Sequence, residues 1–327
     1  MPAQILHTTL IRDRAIAAAG ETFQVDLPVN PLSAIIVTLR ATNVGAQTLV
    51  ANLWDDWAAK YTSWRVTYRG ATIIQGRTED LWIEMGRREK WLPTRAQITP
   101  TDNDVSSITW PIMFGRRLYD ALECFPATRR GDLVLEIAAA ADAGTLDGHT
   151  VQAETIELLD ARPKRFVKVT TLSQVMAAAG INVIELPIGN DLLGCLLRPL
   201  VFPSGALFTS SFGELALLVD NVEVIEARRN WESAHGMFSR YVGSEWNDLQ
   251  HVHGFEPVAG VLTLAVTRDG ALAQAYALLD WDPMGDGTYA IDTRGAAHVQ
   301  LQMVSDQADV TASRVLPIEL VEIDGGQ

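Results

Sequence analysis

Cysteine is almost absent: Cys124 and Cys195 are the only two among 327 residues. Two thiols cannot form a disulfide scaffold, so the sequence predicts folds held by their own cores, in a reducing compartment. Lysine is scarce as well, with Lys60, Lys90, Lys164 and Lys168 the only four among 26 basic residues. Against 40 acidic residues these leave a net charge of −14. A protein that coats nucleic acid needs a basic face, and this balance argues against one. No apolar run approaches the ~18 residues of a membrane span, and the N-terminus lacks the apolar stretch of a secretory signal. Also missing are a Gly-x-Ser-x-Gly elbow, a phosphate-binding loop, a dinucleotide fingerprint and a Cys-x-x-Cys pair. Nothing thus assembles a nucleophile, a base and an orienting group. The sequence assigns no catalytic, cofactor-binding or metal-ligating residue, and no cofactor is expected.

What the chain has is repetition. It reads Thr8-Thr9-Leu10, then Ala17-Ala18-Ala19-Gly20, then Asp26-Leu27-Pro28-Val29. Later it reads Thr170-Thr171-Leu172, then Ala177-Ala178-Ala179-Gly180, then Glu185-Leu186-Pro187-Ile188. Ile156-Glu157-Leu158 and Ile318-Glu319-Leu320 close the two series, and the four matches are offset by 159 to 162 residues. A repeat of this length indicates a duplicated globular fold rather than a solenoid. The expected domains are residues 1–160 and 161–327, each of ordinary domain size.

Within each copy the pattern is of strand type. Ala34 to Leu39 and Leu192 to Leu197 are dense apolar runs bounded by turn signals, as sandwich strands require. Trp64, Val66 and Tyr68 alternate with Arg65, Thr67 and Arg69 before Gly70 turns the chain into Thr72-Ile73-Ile74. Leu215 to Val219, the turn pair Asp220-Asn221 and Val222 to Ile225 form the matching hairpin. A helix is expected after each hairpin. Thr78 is the candidate N-cap for Glu79 to Arg88, and Trp231, Ala234, Phe238 and Tyr241 recur at helical spacing. Further strands are expected at 133–137, 151–158, 261–266 and 299–304, a short helix at 116–122, and long loops at 44–60, 93–108 and 242–258. The fold class is therefore all-β: two tandem jelly-roll sandwiches, each with a short inserted helix.

Two jelly rolls in one chain, each with a helix after a central hairpin, resemble the double jelly-roll major capsid proteins of tailless icosahedral phages and adenovirus-like viruses. Trp110 to Arg116 and Gly131 to Ile137 look like strand segments of those proteins. The resemblance implies a non-enzymatic shell protein of the virion, assembled in the host cytoplasm. Its partners would be itself, as a pseudo-hexameric homotrimer, neighbouring capsomers, penton or minor capsid proteins and an internal viral membrane, with no specific nucleic acid. Three two-domain chains supply six similar blocks around a threefold axis, which is a reason for the duplication. At −14 per chain, moderate salt should favour assembly by screening repulsion, unless specific salt bridges dominate the contacts.

Rival readings rest on particular residues. A bicupin metalloenzyme would use His251-x-His253, Glu256 and the later His298, but the glutamate comes too early for that family and the first copy has only His7 and His149. Asp280 to Gly287 resembles a calcium loop at three positions, but Met284 and Ile291 stand where ligands are needed. A lectin or spike module would stack sugars on exposed tryptophans, and Trp54, Trp57 and Trp246 are the candidates because they fall in expected loops, whereas Trp64, Trp82 and Trp231 fit packing positions. The basic run Arg162-Pro163-Lys164-Arg165-Phe166-Val167-Lys168 reads as a solvated junction between the copies, or as a surface facing a membrane or packaged genome.

Overall fold

The computed structural model of the protein describes residues 4–43, 54–89, 93–97, 105–142, 146–176, 180–201, 210–224, 228–242, 250–258, 261–268, 275–305, 308 and 311–323. The chain divides into two compact units, Met1–Lys164 with Val242–Leu272 and Arg165–Tyr241 with Ala273–Gln327.

The first unit runs β1 (Gln4–Ala15), β2 (Glu21–Asp26), β3 (Leu32–Asn43), α1 (Trp54–Lys60), β4 (Tyr61–Tyr68), β5 (Ala71–Gly76) and α2 (Thr78–Glu89). It continues with β6 (Thr94–Gln97), β7 (Val105–Met113), β8 (Leu133–Ala139) and β9 (Leu146–Leu159). One sheet has the order β1-β9-β3-β7-β6 and the other β5-β4-β8-β2. Their apolar faces close on three buried indoles. Trp110 of β7 meets Trp64 of β4 edge-on, with ring centres 5.2 Å apart, and Trp82 of α2 in the same way at 5.5 Å. One side chain thus joins a strand of each sheet to the helix. Large aromatic surfaces buried in edge-to-face geometry are among the strongest packing contacts available to a core.

In the second unit the chain forms β10 (Arg165–Val169), β11 (Leu172–Gln174), β12 (Gly180–Glu185), β13 (Asp191–Arg198), β14 (Glu214–Val219), β15 (Val222–Glu223), β16 (Arg229–Asn230) and α3 (Trp231–Val242). The hairpin β17 (Gln250–Val258) and β18 (Val261–Arg268), which the division assigns to the first unit, pairs only with itself among the described residues. Then come β19 (Ala277–Asp280), β20 (Ile291–Asp292), β21 (Val299–Ser305) and β22 (Ser313–Glu322). Here the sheet orders are β10-β22-β13-β19, with β11 beside β22 and β20 beside β13, and β12-β21-β14-β15, with β16 beside β14. Strand for strand, β1-β9-β3-β7 corresponds to β10-β22-β13-β19, and β2-β8-β4-β5 to β12-β21-β14-β15. Each unit is a jelly roll. Leu192, Cys195, Leu217, Trp231, Trp281 and Leu301 are among the residues of the second core. The expected alternation is present on β21, where Val299, Leu301 and Met303 are buried and Gln300 and Gln302 half-buried.

The two central hairpins turn on left-handed residues, Arg69 and Gly70 (φ 49° and 84°) and Asp220 and Asn221 (φ 49° and 65°). Two such residues in a two-residue loop match the right-handed twist of the flanking strands. Other expectations change. Thr78 is not the cap of α2: Arg77 supplies the first carbonyl to Leu81, and the Asp80 carboxylate accepts the Arg77 amide at 3.2 Å. The Thr78 hydroxyl instead donates to the Tyr61 carbonyl and accepts the Trp64 indole proton, fastening the helix to β4. Of the expected loops, 44–60 contains α1, 93–108 contains β6 and the start of β7, and 242–258 contains β17. No helix forms at 116–122, because Tyr119 is left-handed (φ 64°) and the Arg116–Glu123 ion pair folds the segment back on itself. The strand expected at 261–266 is present as part of β18, in a hairpin with β17.

The turn chemistry gives a direct test. Gly70→Ala meets no steric neighbour yet must hold a left-handed φ, so it should destabilise the protein by about 1 kcal/mol. Asn221→Gly should lie within about 0.5 kcal/mol of the parent, or above it. Urea unfolding midpoints distinguish the two, and an unchanged midpoint for Gly70→Ala would contradict the turn geometry.

Candidate functional site

The buried polar cluster that most resembles a reactive site lies in the first unit. Lys60, 2% exposed at the end of α1, sits 2.5 Å from Asp142 and donates to the carbonyls of Ala17 (3.1 Å) and Ala140 (2.8 Å). His149 places Nε2 3.9 Å from the same aspartate and packs edge-on against Tyr61 and Trp57. The ammonium protons are used by backbone carbonyls and a carboxylate, and the imidazole faces aromatic rings. This is a clamp that holds three chain segments together. Burial drives the His149 pKa down, with Asp142 pulling partly back, and drives the Tyr61 hydroxyl far up.

The residues singled out from the sequence are scattered. Trp57 is fully buried, so it offers no sugar-stacking face, because α1 turns it into the core. Trp54 begins the same helix, while its side chain and all of Trp246 lie outside the described residues. His251 and His253 stand two apart on β17, opposite Thr267 and Ala265, and Glu256 follows on the same strand. Their side chains also lie outside the described residues. His298 is exposed, 3.9 Å from Glu185. Among the described residues no group of three or more His, Cys, Asp or Glu is placed to hold a metal. In the acidic turn, Asp280 accepts the Asp282 amide at 3.1 Å, Asp282 the Gly287 amide at 2.7 Å and Asp286 the Thr288 amide at 2.8 Å. These carboxylates order the backbone. Cys124 and Cys195 are both buried, and burial raises the Cys124 thiol pKa to about 12.

The recurrent arrangement is a corner that both units build from the same two loops. In the first unit, Asn30 donates to the buried Glu157 carboxylate at 2.7 Å. Leu32 and Phe125 exchange both backbone hydrogen bonds at 2.9 Å, the Thr128 amide donates to Val29 at 2.8 Å, and the Tyr119 amide donates to the Ser33 hydroxyl at 3.0 Å. The loop after β7 is braced from below by the buried Arg116–Glu123 pair and by Arg88 of α2, which donates to the Gly115 carbonyl at 2.7 Å. Gly115 has no room for a side chain, because a Cβ would lie 2.0 Å from the Glu123 carbonyl oxygen. On this frame Val29, Tyr119 and Leu122 are exposed.

In the second unit Asn190 donates to the fully buried Glu319 at 2.7 Å, and Lys168 pairs with the same carboxylate at 2.8 Å. The Thr293 hydroxyl donates to the Asn190 carbonyl at 2.5 Å and accepts the Gly189 amide at 2.9 Å, stitching the two loops together. Ile188, Met284 and Tyr289 are exposed here. Leu32 faces Glu157 and Leu192 faces Glu319 across the strands, and each pair is followed by a register shift. The loops that follow the repeated Leu-Pro pairs therefore meet the Ile-Glu-Leu segments in both units. Sequence reading found the repeats but missed that Asn30 and Asn190 pair with the glutamates of the closing tripeptides. The signal was available, since both asparagines follow the Leu-Pro landmark.

Two measurements follow. Asn30→Leu or Asn190→Leu leaves a buried carboxylate short of a donor and should cost about 1–3 kcal/mol, read from denaturant midpoints. His149 has a depressed pKa in the folded state, so its contribution is full above the unfolded value of roughly 6.5 and falls as pH drops through the folded value. The stability difference between the parent and His149→Gln should therefore shrink on acidification below about pH 6.5. A difference independent of pH would show that the imidazole does not titrate with folding.

The chain matches no protein-family model, and no curated protein matches its sequence. Its structure does have relatives. The major capsid protein P2 of bacteriophage PM2 aligns over 99% of both chains with a TM-score of 0.61 and 12% identity. The major capsid protein of STIV aligns over 98% of this chain and 97% of its own, at TM-score 0.65 and 14% identity. A chain from the atomic structure of Sulfolobus Turreted Icosahedral Virus reaches TM-score 0.67 at 15% identity, over 98% and 91%. At such identities the likeness is one of fold, and it spans the whole molecule: the chain has the double jelly-roll architecture of those capsid proteins.

Proposed function

We propose that this protein is the major capsid subunit of a tailless icosahedral virus, acting as a homotrimer whose six jelly rolls form a pseudo-hexameric block of the shell. The observation that carries this reading is the full-length match of both jelly rolls, in one chain, to capsid proteins of separate viruses. Each sheet order recurs in the second unit, which supports descent of the two halves, residues 1–160 and 161–327, from one duplicated domain. The sheet edges support assembly too. β1 lies at the edge of its sheet with Ile5 and Leu6 exposed, and β12 at the edge of its sheet with Ile181 and Val183 exposed. Unprotected apolar edges invite pairing, and a shell subunit covers them with its neighbours. Pentons or minor capsid proteins at the vertices, an internal membrane and assembly in the host cytoplasm belong to the same reading.

Analytical ultracentrifugation of the purified chain tests it. A trimer at micromolar concentration, held by permanent interfaces of about 2,000 Å² or more, is expected, with larger closed particles at higher concentration. A species that stays monomeric at every ionic strength and concentration overturns the assignment.

A further inference from the structure

Resting on the trimer reading, we infer that the loop corner of the first unit is the docking site for the corresponding corner of the second unit of a neighbouring copy. The two corners occupy the same place in the same strand order, and the loops of each expose a tyrosine and aliphatic side chains: Tyr119 (48%), Val29 and Leu122 in the first, and Tyr289 (58%), Ile188 and Met284 in the second. Their charges are opposite. Around the first corner Arg117, Arg129 and Arg130 are exposed. The basic junction adds Arg162 and Lys164, drawn against the same loop by the bond from the Lys164 amide to the Leu122 carbonyl at 2.9 Å. Asp26, Asp120, Asp132 and Asp160 are the acids there; Asp120 is engaged by the Leu122 amide at 2.8 Å and Asp132 by Arg69 at 2.9 Å. Around the second corner stand Asp191, Asp286, Asp292 and Glu322. Arg294 is bonded to three of these at 2.8 to 3.2 Å, Arg165 lies opposite Glu322, and Lys168 is taken up by the buried Glu319 at 2.8 Å. In a chain of net charge −14, a basic and apolar corner is the exception that needs a partner.

The charge pattern also selects the geometry of the contact. Two first corners brought together would set arginines against arginines, and two second corners would set carboxylates against carboxylates. Only the unlike pairing removes the repulsion, so the contact is head-to-tail, the kind that closes into a ring when its rotation divides the circle, as the trimer reading requires. The first corner is built for docking. Tyr119 is held left-handed, with its amide fixed by Ser33, and its loop is locked by Gly115 and by the buried Arg116–Glu123 pair. A strained, exposed aromatic on a rigid frame is a feature retained for contact, and a pre-set loop loses little entropy on docking. This contact meets the exception noted for salt: here specific opposite charges attract within a chain that otherwise repels its copies.

Charge reversal tests the inference. The double variant Arg129→Glu/Arg130→Glu and the double variant Asp286→Arg/Asp292→Arg should each weaken trimer formation on the order of 100-fold by sedimentation equilibrium, with circular dichroism unchanged. The chain carrying all four reversals should recover the trimer. Either pair assembling like the parent, or failure of the fourfold variant to recover, overturns the inference while leaving a trimeric parent, and with it the capsid reading, intact. If a reversed variant fails to fold, the neutralising variant Arg129→Ala/Arg130→Ala decides. Its trimer should be weaker at low salt and should respond less to added salt than the parent. Binding of the parent trimer to phosphatidylglycerol vesicles that is lost in Arg129→Ala/Arg130→Ala, with trimer strength unchanged, would assign the corner to a lipid surface and overturn the inference.

Discussion

The first unit depends on one contact, the meeting of two apolar sheet faces around Trp110. Its indole lies edge-on to Trp64 from the opposing sheet and to Trp82 from α2, so three elements share one buried surface. Burying aromatics of this size is among the largest single gains a core offers, and edge-to-face geometry fixes how far apart the sheets sit. The placement of α2 follows from that spacing. Thr78, which by its position alone would cap the helix, spends its hydroxyl on Tyr61 and Trp64, and the capping passes to Asp80.

With the sheets closed, the loops at one end of each unit can be stitched together. The stitch differs in detail and agrees in logic: a buried glutamate on the long strand receives an asparagine amide from the loop after Leu-Pro. A buried carboxylate is tolerable only when its lone pairs are taken up, so the pairing also selects the register of the strands that carry it. The second unit adds Lys168 and the Thr293 hydroxyl, and the first adds the Arg116–Glu123 pair beneath its loop. The same frame thus supports loops of different composition, one basic and one acidic. Two domains that share a frame and differ in their loops can make unlike contacts with copies of the chain, which two identical domains cannot.

The Lys60, Asp142 and His149 cluster illustrates why residue type alone is a poor guide to chemistry. A lysine, an aspartate, a histidine and a tyrosine within one pocket have the composition of a catalytic site. In the structure the lysine protons go to carbonyl oxygens and the imidazole goes to aromatic rings. The Tyr61 hydroxyl and His149 Nδ1 have no hydrogen-bond partner among the described residues, but both groups are buried, and chemistry needs access for a substrate as well as unspent hydrogen-bonding capacity.

The sequence by itself determined the local grammar. Alternation on β21, the turn pairs at Gly70 and at Asp220-Asn221, and the helical spacing of Trp231, Ala234 and Phe238 were all legible, because each is a period or a backbone conformation that near neighbours dictate. The two jelly rolls were legible too, from strand-type patterns that recur in the same order in each half. What only the tertiary structure decided were contacts between residues far apart in the chain. Trp57 read as an exposed loop residue, yet it is buried because α1 forms against the core. Residues 116–122 read as helical, yet they form a braced turn because Arg116 finds Glu123 and Tyr119 is held left-handed by Ser33. The pairing of Asn30 with Glu157 and of Asn190 with Glu319 lay hidden, since well over 100 residues separate each pair and only sheet register brings them together. Local periodicity is written in neighbouring residues; the partner that satisfies a buried charge is chosen by the fold.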